Sequence, residues 1–127
     1  MAKAGLEHVN VTVSDPQRTA AMLRELFDWQ IRWEGDSIHE GYSMHVGTDR
    51  DYVAIYAPKA TDEKTPNSYT TLGGLNHIGI TVDDIDATEA RVKAAGYEPH
   101  AHADYEPGRR FYFDDQDGIE WEVVSYA

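Results

Sequence analysis

The sequence predicts an α+β fold built from two successive β-α-β-β-β modules. Three observations carry this reading: a gapless internal repeat, a helical pattern opened by aspartate after each copy, and strand-like runs behind each helix. The repeat pairs GLEHVNVTVSD at Gly5–Asp15 with GLNHIGITVDD at Gly74–Asp84, which share Gly, Leu, His, Thr, Val and Asp at the same places. Module 1 is read over residues 1–60, a linker over 58–74 and module 2 over 75–127, together one domain. Neither module can bury its sheet alone, so the two are expected to pack as one body.

Each element has its own signal. Asp15-Pro16 opens a helix with Leu23, Leu26 and Phe27 on one face. Asp84-Ile85 opens another with Ile85, Val92 and Ala95, stopped at Gly96. Aspartate suits a helix N-cap, and Pro16 suits the first helical position, where no N–H is needed. The strands of module 1 are expected near Ile31–Glu34, Gly41–Gly47 and Tyr52–Ala57. Those of module 2 are expected near Glu98–His102, Arg109–Phe113 and Ile119–Tyr126. The polar segments 48–51 and 114–118 read as turns between antiparallel neighbours. The stretch PKATDEKTPNSYTTLGG, Pro58–Gly74, reads as the linker.

Composition narrows the function. Asp plus Glu number 23 against 11 Lys plus Arg, a net charge of -12. That disfavours nucleic acid or anionic membrane, which basic patches bind by displacing counterions. There is no cysteine, so disulfides and thiolate ligands are excluded. No apolar run is long enough to cross a bilayer, and MAKAGLEHVNVTV lacks the apolar core of a signal peptide. A soluble, cytoplasmic protein is expected.

Side chains alternate along a strand, so the repeat has two different faces. Val9, Val11 and Val13, like Ile78, Ile80 and Val82, form a β-branched face for a helix to cover. Leu6, His8, Asn10 and Thr12, like Leu75, His77, Gly79 and Thr81, form a mixed face suited to a lined cavity. A lone strand histidine is more often structural than a ligand. Two at equivalent repeat positions weaken that bland reading, because approximate two-fold symmetry can bring them together as half a metal site. The missing ligand should be a carboxylate on another inner face. In the last strand Trp121 and Val123 suit the helix-covered side, which turns Glu122 inward.

With these residues in view, the chain resembles the vicinal oxygen chelate superfamily, which holds glyoxalase I, fosfomycin and bleomycin resistance proteins and extradiol ring-cleaving dioxygenases. The resemblance rests on the paired modules, on Leu6-Glu7-His8 and Leu75-Asn76-His77, and on Asp117-Gly118-Ile119-Glu120-Trp121-Glu122. It implies a curved mixed sheet or cup with helices on the outer face, and His8, His77 and Glu122 as metal ligands. Glyoxalase I adds a carboxylate in the closing strand of module 1, where this chain offers Ile55 or Tyr56. Tyr112 through Glu122 matches the spacing of the extradiol signature with Gln116 in place of Pro, while His102 falls about one residue out of register. Fosfomycin-modifying members use the same ligands, usually with Mn(II), plus a Lys and a Ser whose matching positions here are His102 and Glu106, so that activity is not expected of this chain.

The resemblance therefore implies a divalent-metal enzyme acting on a small molecule with neighbouring oxygens. Fe(II) is the first expectation, with Mn(II), Zn(II) or Ni(II) as alternatives, because two histidines and one carboxylate with open positions suit non-haem iron oxygenases. Ring-cleaving dioxygenation is preferred. A glyoxalase-like lyase, isomerase or epimerase, and a metal-free binding protein, are the alternatives. Tyr112 and one of His45 or His102 would move protons. Arg109, Arg110, Tyr56 and Asn10 are the candidates for substrate contact, one of the two arginines facing inward. The family's usual state implies a homodimer. Trp29 and Trp33 are expected as core or dimer contacts, and His39, His100 and His102 in or near loops.

Overall fold

Hydrogen bonding across the strands divides into two mixed four-stranded sheets, one per module. The computed structural model describes residues 2–64, 67–105 and 108–127. The chain forms two compact units, Met1–Asp62 and Glu63–Ala127, with the boundary inside the expected linker. In the first unit β1 (His8–Thr12) leads to α1 (Pro16–Phe27), β2 (Gln30–Asp36), a short 3-10 turn (Ile38–Glu40), β3 (Tyr42–Gly47) and β4 (Tyr52–Ala57). In the second, β5 (Ile78–Thr81) leads to α2 (Ile85–Ala94), β6 (His100–Tyr105), β7 (Gly108–Asp114) and β8 (Glu120–Ser125).

The strand orders are the same: β1-β4-β3-β2 and β5-β8-β7-β6. The first strand of each module pairs parallel to the last, and the other pairs are antiparallel. Both helices begin as the sequence predicts. Asp15 accepts from the Arg18 amide at 3.2 Å and Asp84 from the Ala87 amide at 3.0 Å, satisfying N–H groups that have no partner inside the helix.

In each unit the β-branched face of the repeat packs inward. Val11, Val13, Leu23, Leu26, Met44, Val46, Val53 and Ile55 are buried in the first. Ile80, Ile85, Val92, Phe111, Phe113, Trp121 and Val123 are buried in the second. Each such side chain contributes ~1.5–3 kcal/mol on leaving water. The opposite face stays open: His8, Asn10 and Thr12 are exposed, as are Gly79 and Thr81.

Several strand boundaries differ from expectation by one to three residues, and two of them have a local cause. β6 starts at His100 because Pro99 precedes it, and its register against β7 shifts between His100 and Ala103, where Ala101 has φ 54°. Ile119 lies in the turn before β8, where its amide donates to the Asp115 carboxylate at 3.0 Å. Among the described residues no helix is long and apolar enough to cross a membrane.

Candidate functional site

The open face of the second unit gathers most of the chemistry. His77 stands just before β5, and Gly79 pairs with Glu122 in β8. A Cβ added at Gly79 would stand 3.5 Å from Glu122 Oε1, so glycine leaves the approach to that carboxylate clear. Antiparallel pairing then places Tyr112 beside Glu122 and Arg110 beside Val124. Tyr112 donates its hydroxyl to Glu122 Oε2. Arg110 Nη1 lies 3.6 Å from the same oxygen, with both side chains 13% exposed. His77 Nε2 is 4.0 Å from Glu122 Oε2, and its ring meets the Tyr112 ring edge-on at 5.5 Å.

Two more residues complete this group. Glu120 shares the inner face with Glu122, and its Oε1 lies 3.8 Å from His77 Nδ1. Tyr69, from the linker, donates to Glu120 Oε1 at 2.5 Å and stands 3.3 Å from His77 Nδ1. The hydrogen bond to a carboxylate favours the neutral phenol, so the Tyr69 pKa is pushed up to about 12. Alternation along β8 already puts Glu120 on the Glu122 side. Tyr69 has no such signal, since nothing in a turn-rich linker shows where its aromatic side chain will reach.

The first unit presents a row of rings across all four strands. His8 stacks on Tyr52 at 4.9 Å, Tyr52 on His45 at 4.5 Å, and His45 meets Trp33 at 5.0 Å. His8 Nδ1 also lies 2.9 Å from Glu7 Oε1. Burial holds His45 below the ordinary histidine range, and the nearby His8 and Arg32 add to the effect. Trp33 is therefore an inner-face residue, 49% exposed, rather than core. Asn10 is exposed opposite Ala54. The Tyr56 hydroxyl is used locally, donating to the Ile38 carbonyl at 2.8 Å.

The remaining candidates lie elsewhere. His102 rests on the α2 side of its sheet, 3.0 Å from Glu89 and stacked on buried Phe111. Arg109 is on that side too, 2.9 Å from Asp86, whose carboxyl its guanidinium holds below the usual range. Both border a cavity of about 270 Å³ beside α2, which Arg110 also lines but Tyr112 and Glu122 do not. Of the two arginines, Arg110 is the inward one. Glu106 lies outside the described residues.

A family model described as the glyoxalase/bleomycin resistance protein/dioxygenase superfamily matches residues 5–123. The chain belongs to that superfamily. Solved structures with the same fold include a glyoxylase/bleomycin resistance protein/dioxygenase domain from Frankia sp. EAN1pec, 20% identical, covering 98% of this chain and 93% of that one, with TM-score 0.82. The fosfomycin resistance protein FosX from Listeria monocytogenes, complexed with Mn(II) and sulfate, is 22% identical over 98% and 93% of the two chains, with TM-score 0.72. FosX from Mesorhizobium loti is 24% identical over 97% and 92%, with TM-score 0.70. No curated protein matches the sequence.

Within the superfamily frame, strand register corrects two assignments. Glu122 pairs with Gly79, and Ala54 pairs with Asn10, the repeat counterpart of Gly79. The module 1 counterpart of Glu122 is therefore Ala54, not Ile55 or Tyr56, and Ile55 points into the core. The offset of one residue arises because the turn 48–51 is one residue shorter than 115–119. Likewise His100, not His102, pairs with Tyr112 in β6–β7, with ring centroids 6.3 Å apart. The expected ligands divide between the units: His8 in the first, His77 and Glu122 in the second. Among the described residues no group of three or more His, Asp or Glu side chains is arranged to hold a metal ion.

Proposed function

We propose that this chain is a divalent-metal-dependent enzyme whose small substrate chelates the ion through neighbouring oxygens, and that it cleaves the ring of a catechol-like compound with dioxygen. The observation that carries the reading is the pairing of His77 Nε2 with Glu122 Oε2 at 4.0 Å beside Tyr112. Metal–donor bonds of ~2.1 Å let two ligands of one ion stand up to ~4 Å apart, so this donor pair suits a shared cation. His8 is the third ligand of the proposed set. Ala54, in the place of a fourth, carries no donor, which leaves the two-histidine, one-carboxylate pattern of non-haem iron oxygenases.

When bound, Fe(II) would supply Lewis-acid stabilisation of oxyanion charge and the redox capacity for oxygen chemistry. The chain's own groups supply the rest. Tyr112, held by Glu122 and flanked by His100, can pass a proton to or from a substrate hydroxyl. Arg110, mostly enclosed, offers a fixed cation to an enolic or carboxylate oxygen. His45, kept neutral by burial, is suited to act as a base. A homodimer is the assembly expected.

Metal analysis of purified wild type and His77→Ala, after growth with added Fe, Mn, Zn or Ni, tests the metal centre. Retained metal in wild type and loss in the variant is the expected result. Equal, negligible metal in both leaves a metal-free binding protein. Oxygen uptake with a catechol panel then tests the reaction, and metal without oxygen uptake assigns a lyase, isomerase or epimerase instead.

A further inference from the structure

We infer that both repeat histidines are locked with the proton on Nδ1 and the Nε2 lone pair presented to the open face, by two different devices. For His8 the device is Glu7, whose Oε1 lies 2.9 Å from Nδ1. An ionised carboxylate can only accept, so the proton of this contact belongs to the imidazole Nδ1. In module 2 the residue matching Glu7 is Asn76, and the device changes. Tyr69 spends its only hydroxyl proton on Glu120 Oε1 at 2.5 Å. Towards His77 Nδ1, 3.3 Å away, the phenol oxygen can then act only as acceptor. The Nδ1–H donates to the phenol oxygen, and the phenol O–H donates to the carboxylate.

The linker is shaped for this. The Tyr69 amide donates to Asn67 Oδ1 at 3.0 Å and the Thr71 hydroxyl to the Asn67 carbonyl at 2.7 Å, which fixes the turn carrying the phenol. The Tyr112 ring, edge-on at 5.5 Å, confines the imidazole from another side. Tyr69, Glu120 and Glu7 are positioning residues that act through the histidines. The use of this arrangement, orienting Nε2 as a metal donor, rests on the proposed metal centre. The arrangement itself does not.

Long-range proton–nitrogen correlation spectra of nitrogen-15-labelled, metal-free protein, recorded above the imidazole titration range, distinguish the two tautomers. Wild type is expected to show Nδ1–H for both His8 and His77. Glu7→Ala should release His8 alone, and the double variant Tyr69→Phe/Glu120→Ala should release His77 alone. Each variant should also bind divalent metal ~10–100-fold more weakly, the usual cost of losing an outer contact to a ligating histidine. Nε2–H for either ring in wild type overturns the inference, as does an unchanged tautomer in a folded variant. Should a variant fail to fold, the wild-type spectrum still decides. Two Nδ1–H rings in a protein that binds no metal would uphold this inference and end the metalloenzyme reading. The Nε2–H form in a protein holding stoichiometric metal would do the reverse.

Discussion

Tyr112 is the residue on which the proposed chemistry turns, because its hydroxyl is held by Glu122 and its ring contacts both His77 and His100. Tyr112→Phe keeps the ring and removes only the transferable proton. The turnover number is expected to fall ~10²–10⁴-fold, the range for losing a general acid or base, with metal content unchanged. Loss of metal together with activity would make Tyr112 a support for Glu122 instead. Tyr69 offers a second test. In metal-free protein its phenol should ionise at about 12, above the ordinary 10.0. Glu120→Gln should return it towards the ordinary value, as read from phenolate absorption against a Tyr69→Phe reference. The folded state favours the protonated phenol. The contribution is therefore complete below the unfolded value and disappears as pH rises through the folded one. At this scale repeat position and alternation singled out His8, His77 and Glu122 as candidates, and the structure sets His77 beside Glu122 in the second unit, with His8 in the first. The sequence did not reveal Tyr69, which reaches the group from a segment with no periodicity.

Among the elements, the turn Asp115–Ile119 between β7 and β8 matters most, since it sets where Glu122 falls. Asp115, 7% exposed, accepts from the Asp117 and Ile119 amides at 2.9 and 3.0 Å and from Trp121 Nε1 at 3.0 Å. Gly118 takes φ 75°, which a side chain there would strain. Asp115→Ala would leave three donors without their acceptor and is expected to cost ~2–3 kcal/mol in urea unfolding. Asp84→Ala, which removes only a helix cap, is expected to cost about 1 kcal/mol. Burial raises the Asp115 pKa against the lowering effect of these bonds. Folding therefore binds a proton between the unfolded value of 3.8 and the higher folded one, and this contribution to stability declines as pH rises through that window. Asp115→Asn should abolish that segment of the pH profile. Helix starts, the repeated strand and most strand positions were legible here because caps and alternation are local. The one-residue difference between the two β-turns and the irregular register after His100 were not, because register depends on pairing between strands distant in sequence.

For the whole molecule, the repeat made the modular fold readable, and the excess of acidic residues bears on metal uptake. A net charge of -12 attracts divalent cations from a distance and weakens that attraction as salt is added. Chelator treatment is expected to abolish oxygen uptake and lower the thermal midpoint, with both restored by Fe(II). Anything bound by the native state and not the unfolded chain stabilises by mass action, about 2.7 kcal/mol when free ligand is a hundredfold above its dissociation constant. The stabilisation should grow with the logarithm of metal concentration in wild type. It should be nearly flat in His8→Ala, His77→Ala and Glu122→Ala, although His8 belongs to one compact unit and the other two to the second. A response that survives His8→Ala but not the other two would place the ion on the second unit alone. That outcome would separate the His77–Glu122 pair, which the structure already brings together, from the three-ligand centre proposed for the chain.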